Sequence, residues 1–446
     1  MQSRRSSRNA AHENIVRVLG LTTANGQRFF DAIHASQNRF LFRDNFRMDV
    51  AAFDALFELC QPFIVDTVRS QREVLAVALN WIGTAATCRS QEVLFDLTYS
   101  TVHKYRIRSV RAILLALNSS MKIPTQIPPF FLYKHPYFHQ ALGAIDGTHF
   151  QVIVGVEDTD RFRNHKGFVT TNVLVFCDWS LRVCFACAGA EGSAHDATVL
   201  RWSSLLHQLP EHYYVLGDAG YGLSEQVLTP CRGERYHLKE WAKNDVGRPR
   251  DPKVLFNLQH AKARNVVERT IGVLKCRFKV LRTCMDYEMM TIKSVIYACV
   301  LTHNFIGEYD ASDLGADLAT SRQDARRDRA VNASFDSIPF DFQTSNDWRS
   351  WIAEAMWEEC QEFRADEADS DFSTETTSSG QVGPTVGMIQ MKATALRANK
   401  SVRLAFSINN IFMYQNLHEV RSSKLMLLTG YFLYYSDTFV MRTKNS

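Results

Sequence analysis

The stretch that most constrains this chain is Ala141 to Val156, ALGAIDGTHFQVIVGV. It predicts one strand, bent at Gly147, apolar on both sides and carrying a single carboxylate, Asp146, in its middle. Continuous apolar strands lie inside mixed or parallel sheets rather than at a wet edge. A carboxylate there must be neutralised, hydrogen-bonded or bound to a cation, because an unpaired buried charge is costly. Gly143 and Gly147 flank it and leave room for something to approach the backbone closely. A satisfied core aspartate near a turn accounts for this motif about as well, since one motif alone carries little weight.

The elements that follow decide more. TNVLVFCD (171–178) and LRVCFACAG (181–189) read as two further strands joined by a tight turn at Trp179–Ser180. EGSAHDATVLRWSSLL starts a helix with Ser193 as its expected cap, and YYVLGDAGY (213–221) is an apolar strand ending in a second carboxylate, Asp218. A polar, basic connection leads to AKARNVVERTIGVLKCRFKVL (261–281), a helix, and a second helix runs through Ile292–Phe305. The order strand–strand–strand–helix–strand–helix suggests a ribonuclease-H-like α/β core built on a mixed sheet. Strands one and four are neighbours in that layout, so Asp146 and Asp218 meet at one sheet edge.

A third acid should arrive on the helix, where Glu268 is in the right element. It lies beside an expected buried stripe of Val267, Ile271, Leu274, Phe278 and Leu281, on a helical face shared with Arg264, Gly272, Lys275 and Lys279. Gly272 costs about 1 kcal/mol of helix stability relative to alanine, which points to close approach of another backbone or a ligand. Carboxylates among cations suit a site for both metal and phosphate. An ordinary surface glutamate paired with Arg264 and Lys275 would explain Glu268 by itself. His195 and Asp196, at the start of the preceding helix, either line the site or cap the helix.

The N-terminal part is all helical in pattern. Residues 1–45 read as a basic, flexible arm with Arg4, Arg5 and Arg8. From 46 to 120, FRMDVAAFDALFELC and Val74–Thr84 are helices, and 90–117 reads as helix, tight turn at Asp96–Thr98, and longer helix. With Thr98 as N-cap, Val102, Val110, Ile113 and Leu117 share one face and Lys104, Arg108 and Arg111 the opposite one. That is helix-turn-helix-like: a packed side and a basic side for phosphates or base edges. A solvated basic face accounts for it equally well.

Residues 118–141, with Pro124, Pro128, Pro129 and Pro136, read as an extended linker into a catalytic domain spanning 121–310. Residues 311–380 are expected to be a disordered acidic segment: Glu354, Glu358, Glu359, Glu362, Asp366, Glu367, Asp369, Asp371 and Glu375 face Arg364 alone. Residues 381–446 are unassigned; Leu425–Tyr435 is too short to span a bilayer, so no membrane association is expected. The formal net charge of +4 places any basic surface in local segregation, and ten scattered cysteines form no disulfide framework. Nothing reads as a signal peptide, so reduced thiols in cytosol or nucleus are the expectation. Cys184 and Cys187 form a CxxC inside an apolar strand, read as core rather than zinc ligands.

Asp-Gly-Thr also ends the signature of haloacid-dehalogenase-type phosphatases, but their nucleophilic aspartate would fall on Ala144. A different resemblance is far more extensive. GAIDGTH (143–149), the His-Lys-Gly at 165–167, NVLVFCD (172–178), EGSAHDATVL (191–200), GDAGY (217–221), RYHLKEW (235–241), RNVVERTIGVLKCRF (264–278) and CVLTHNFI (299–306) occur in order. Together they resemble the Harbinger (PIF/Harbinger) transposase family and its domesticated nuclease relatives over roughly residues 40–310.

The resemblance implies a metal-dependent DNA endonuclease or transposase of the DDE type. Its metal-binding acids map onto Asp146, Asp218 and Glu268, holding Mg²⁺ or Mn²⁺ for two-metal cleavage of phosphodiester bonds. It further implies DNA as partner, a Myb-like DNA-binding partner protein, a nuclear (and cytoplasmic) location, and compatibility with a homo-oligomer. The basic residues Lys104, Arg108, Arg111, Arg264, Lys275 and Lys279 are the candidate DNA contacts. The alternative is a domesticated, non-cleaving DNA-binding protein of the same fold; the intact set of three acids favours cleavage. Gly222 stands where a proline often follows DAGY, His165 replaces a common arginine, and the tail beyond about 380 resembles nothing in the family.

Overall fold

The computed structural model describes residues 27–65, 70–233, 249–309 and 342–375, with side chains described from 29 and up to 362 at the two ends. The chain divides into two compact units, 1–365 and 366–446, and the site lies in the first. Six helices come first: α1 (Gln27–Ala35), α2 (Arg39–Phe46), α3 (Val50–Cys60), α4 (Gln71–Thr84), α5 (Cys88–Phe95) and α6 (Tyr99–Leu117). After α7 (Pro129–Lys134) come β1 (Ala141–Gln151), α8 (Thr159–Phe162), β2 (Thr170–Cys177) and β3 (Val183–Glu191). Then follow α9 (Asp196–Trp202), α10 (Leu205–Gln208), β4 (Tyr214–Leu216), β5 (Val227–Leu228), α11 (Pro252–Arg277), α12 (Met289–Tyr309) and α13 (Ser345–Glu375).

The sheet has the order β3-β2-β1-β4-β5, so β1 and β4 are neighbours as the sequence order requires. β1 runs antiparallel to β2 and parallel to β4, which makes the sheet mixed and the architecture α/β, as in a ribonuclease-H-like core. β1 does not bend at Gly147, which stays paired with Leu174, and it ends at Gln151 rather than continuing to Val156. Gly143 is required by the sheet itself: a Cβ there would lie 2.0 Å from the Cys177 carbonyl oxygen on β2. Cys184 is buried and Cys187 half-buried, both free thiols in β3.

Three regions expected to be irregular are ordered. Residues 27–45 are helical because Phe30, Ile33, Leu41 and Phe42 are buried against Phe46 and Phe53, with the Phe42 and Phe46 rings 4.7 Å apart; Arg4, Arg5 and Arg8 lie outside the described residues. The proline-rich connection contains α7, whose Phe131 stacks on Trp179 at 3.6 Å between centroids. The acidic segment holds α13: Glu354, Glu358 and Glu362 are exposed, half-buried Glu359 accepts from the Tyr137 hydroxyl, and Trp348, Ile352, Ala353 and Met356 recur on the packed side. Ile352, Ala353 and Met356 are buried, and the Trp348 ring meets Tyr214 edge-on. Charge counting missed that spacing. The unassigned tail 381–446 and RYHLKEW lie outside the described residues.

The helical region is continuous with the sheet. Every residue of α4 from Glu73 to Gly83 is buried. Thr87 caps α5 by accepting from Ser90 N, and Asp96, in the left-handed region (φ 50, ψ 53), ends it. Thr98 holds the N-cap position of α6, but its hydroxyl bonds the Ser100 and Thr101 hydroxyls rather than a backbone N–H. A buried polar network fastens α4, α5 and α6. Gln91 Nε2 donates to Val77 O and to Asn80 Oδ1, both at 2.8 Å. Arg106 donates from Nε to Gln91 Oε1 (2.8 Å), from Nη2 to Ala86 O (2.8 Å) and from Nη1 to the Tyr287 hydroxyl (3.2 Å). Its guanidinium also lies over the Trp81 ring, 4.8 Å from the centroid.

α12 is long and apolar enough to cross a membrane by composition, but most of it is buried. It packs on both α6 and β3. Its Asn304 pairs with the main chain of β3, accepting from Val183 N (2.9 Å) and donating to Val183 O (2.7 Å), and His303 Nε2 lies 2.9 Å from Leu181 O. The CVLTHNFI motif therefore holds the edge strand. β3 sits at the sheet's rim, and an edge without such cover is prone to pairing elsewhere.

Candidate active site

The register of β1 and β4 brings the first two acids together. Ala144 pairs with Leu216, and each acid lies two residues further along its chain, Asp146 on β1 and Asp218 in the turn after β4. β4 stops at Leu216, so beyond it β1 has an open edge toward the Asp218 turn. Asp146 Oδ1 accepts from Gly147 N at 3.0 Å, and Asp218 Oδ1 from Gly220 N at 2.9 Å. These local bonds fix both carboxylates on a rigid frame.

The third acid comes from α11, which packs on β1 and β2. Asp251 caps this helix, accepting from Val254 N at 2.9 Å, and Pro252 occupies its first turn, so it begins nine residues earlier than the sequence pattern predicts. Val267, Ile271 and Leu274 form the buried stripe as expected. Glu268 stands at the rim, 51% exposed, and its Oε1 accepts from Arg264 Nη2. Arg264 itself is only 13% exposed, and its Nη1 lies 3.7 Å from Asp146 Oδ2. One guanidinium thus spans two of the three acids.

The shared face of cations does not form as the sequence suggested. Lys275 turns inward: its Nζ donates to Thr148 Oγ1 at 2.7 Å and His149 O at 3.3 Å and lies 5.0 Å from the Phe150 ring centroid. It ties α11 to β1. Lys279 is off the helix altogether, because Phe278 (φ −106, ψ 95) ends α11 and Lys279 begins a 3-10 turn. Around Gly272 a Cβ would meet nothing within 4 Å among the described residues, so none of their backbone approaches it. On α6, Lys104 and Arg111 are exposed, and Arg108 is half-buried with Nη1 donating to Val65 O at 3.1 Å.

A fourth acid sits on the other face of β1. A Cβ on Gly147 would lie 2.1 Å from Asp196 Oδ1, so the missing side chain is what admits Asp196 against the strand. Asp196 opens α9 after His195, which, rather than Ser193, takes the N-cap position. Asn172 on β2 holds it, Nδ2 donating to Asp196 Oδ1 at 2.7 Å and to Ala194 O at 3.0 Å. Tyr221, 1% exposed, lies in the field of Asp196, Asp146 and Asp218, and its hydroxyl is pushed well above the usual range by burial first and by these acids second. Among the described residues neither Asn172 Oδ1 nor the Tyr221 hydroxyl has a partner. The sequence pattern leaves Asp196 between two roles and does not single out Asn172 or Tyr221. The available signal was Asn172, a lone amide opening an otherwise apolar strand.

The charge balance is legible in one group. The Asp146 carboxyl is pushed up from 3.8 to about 6, by burial first; Arg264 opposes this, and Asp218, Glu268 and Asp196 add to it. The sign follows directly. A carboxyl raised on folding favours the folded state most below its unfolded pKa and loses that contribution as pH rises through about 6. The cation-free chain is therefore expected to gain less from Asp146 at pH 7 than at pH 4, while Asp146→Asn has no such dependence. Thermal melts in chelator from pH 4 to 8 check this; a constant difference between wild type and variant would refute it.

The donors are all carboxylate oxygens, which suits hard divalent cations. Among the described residues no three His, Cys, Asp or Glu side chains are gathered closely enough to hold an ion as they stand. Arg264 explains this, because it supplies positive charge between Asp146 and Glu268 and draws Glu268 to itself. In donor chemistry and charge excess the residues suit a divalent cation, which Asp146, Asp218 and Glu268 would be the ones to hold.

Comparison with known proteins finds relatives for this part of the chain. Residues 145–304 match the family of DDE superfamily endonucleases. HARBI1 of Rattus norvegicus, which carries the name of a nuclease, is 28% identical over 175 residues, 38% of this chain and 46% of that protein. HARBI1 of Homo sapiens is 25% identical over 175 residues, 38% of this chain and 46% of its own length. The ALP1-like protein of Arabidopsis thaliana is 24% identical over 261 residues, 53% of this chain and 61% of that protein. The chain thus spans about half the length of the HARBI1 proteins it matches. No solved structure matches it.

Proposed function

We propose that this chain, which carries a DDE superfamily endonuclease domain and is homologous to HARBI1 and ALP1-like proteins, is a metal-dependent nuclease that cuts DNA phosphodiester bonds. The observation that carries the reading is the meeting of Asp146 and Asp218 at the open edge between β1 and β4, with Glu268 joined to Asp146 through Arg264. Divalent Mg²⁺ or Mn²⁺, when bound, would supply activation of an attacking oxygen and stabilisation of the leaving one. The protein's own part is positional. Asp146 presents its carboxylate from the paired strand β1, and Asp218 from the turn that directly follows β4. Arg264 neutralises Asp146 and Glu268 in the absence of cation and becomes available to substrate phosphate when a cation takes over that charge. Asn172 holds Asp196 against Gly147, adding negative charge from the opposite face.

In this reading Lys104 and Arg111, with Arg108 beside them, bring the duplex to the site. A Myb-like partner and self-association would supply further DNA affinity, in the nucleus or after synthesis in the cytoplasm. A non-cleaving DNA-binding protein is the second reading, and the Arg264 bridge favours it, since a built-in counterion lowers the need for metal. The deciding experiment is a nicking assay on supercoiled DNA with and without Mg²⁺. Cleavage only with the cation supports the nuclease; DNA binding with no cleavage under either condition selects the second reading.

Replacing Lys104, Arg108 and Arg111 together by alanine is expected to weaken duplex binding. It should also lower the log–log salt slope by about 0.9 for each phosphate that is no longer neutralised. Affinity measured across a range of salt concentrations checks it, and an unchanged slope returns α6 to a merely solvated role.

A further inference from the structure

We infer that the tip of the β1–β2 hairpin, residues 163–168, is a stacking site for an unpaired base of the DNA strand being cut. The inference rests on the nuclease reading and adds an interaction that the acids and α6 do not provide.

The tip is tightly built. Arg163 bridges to Val169, and Asn164, 8% exposed, accepts at Oδ1 from Lys166 N (3.0 Å) and Phe168 N (3.1 Å). Asn164 N donates to Phe168 O and Gly167 N to Asn164 O, both at 2.9 Å, with Gly167 in the left-handed region at φ +85. Arg163 Nη1 donates to Gly167 O at 3.0 Å. With its polar backbone engaged internally, this loop holds its main chain in one conformation. Four of its side chains, Arg163, His165, Lys166 and Phe168, point outward. Phe168 is 55% exposed, an apolar ring in water with no role in the core.

The location ties the loop to the site. His165 meets His149 with ring centroids 6.5 Å apart. Phe168 itself adjoins Val169, whose O accepts from Val152 N; Val152 is six residues beyond Asp146, about 20 Å along a strand and about six nucleotides at the rise of one DNA strand. The charge of Lys166 reaches inward as well: after burial, it contributes to lowering the pKa of both His149 and Lys275. Arg161 is occupied by Asp158 and Glu191 and does not take part, and Arg163 keeps Asp160 at 3.9 Å.

An aromatic ring between cations is what a nucleotide strand needs: phosphates meet Arg163 and Lys166, and a base covers Phe168. Bases in an intact duplex are already stacked on each other, so the ring can serve only a base that is unpaired or drawn out of the helix. The occupant is therefore a DNA strand opened within about six nucleotides of the cut.

The test uses the full chain in chelator, so that binding is read without cleavage. The probes are a fully paired duplex and a forked duplex carrying 2-aminopurine in its unpaired arm. Phe168→Ala is expected to lose about five- to a hundredfold in affinity for the fork, with paired-duplex affinity unchanged. Phe168→Trp should restore fork binding and show quenching of its own fluorescence. Equal affinities of Phe168→Ala and wild type for the fork, or equal losses on both probes, would overturn the inference alone. A wild-type chain that binds neither probe would overturn the nuclease reading and this inference with it.

Discussion

Asp146→Asn is expected to lower Mg²⁺-dependent DNA cleavage by about a thousandfold or more while the protein remains folded, because the several kcal/mol a bound cation supplies depend on that carboxylate. Asparagine keeps the size of the side chain and its bond to Gly147 N. What it removes is a charge that burial and three neighbouring acids already disfavour. The variant should therefore melt at or above the wild-type temperature in chelator at pH 7, and gain less on adding Mg²⁺. A catalytic loss caused by misfolding would move the melt the other way, which separates the two explanations. Glu268→Gln should also stop cleavage. Its affinity for DNA in chelator is expected to hold or rise, since a negative charge at the rim is lost and Arg264 is released. Either variant cutting at the wild-type rate would end the three-carboxylate account.

Arg106→Leu is expected to cost about 3–5 kcal/mol, because it strips a charged donor from several buried partners at once. Gln91 Oε1 and Ala86 O would be left without their donor, the Tyr287 hydroxyl would lose its bond to Nη1, and Trp81 would lose its cation. That is a large part of the roughly 5–15 kcal/mol that holds a typical domain together. Arg106→Lys should recover little of it, since a single ammonium cannot reproduce a fork aimed in three directions. Denaturant titration of both variants measures this. A loss under about 1 kcal/mol would mean the network is solvated, unlike the typical cost of an unmet buried polar group.

These two residues also mark what was legible in the sequence. Asp146 announced itself, because one carboxylate in an apolar strand has few stable explanations. Asp218 and Glu268 followed from the order of elements and helical spacing; the structure puts Asp146 and Asp218 at adjoining strand ends and links Glu268 to Asp146 through Arg264. Arg106 did not announce itself. In sequence it is one more basic residue between Lys104 and Arg108, and only the depth of α6 against α4 and α5 separates it from them. Lys275 failed the opposite way: its wheel position is right, but a long side chain can fold back onto the strand below. The end of α11 at Phe278 took Lys279 off that face, a boundary no apolar pattern displayed. Asp196 needed Gly147 and Asn172 together, and their adjacency exists only once β1 and β2 are paired. α13 was misread because counting acids ignores spacing, and four apolar residues on one side suffice to seat a helix.

The placement of α12 between α6 and β3 has a mechanical result. Grip and blade are cast in one piece: the surface that would seize the duplex cannot swing independently of the edge that would sever it. Whatever helical turn α6 rests on, the scission point would fall at a constant offset from it, set by the thickness of α12 and its neighbours. The molecule would act as a gauge, and its cutting pattern would report the dimensions of its own interior.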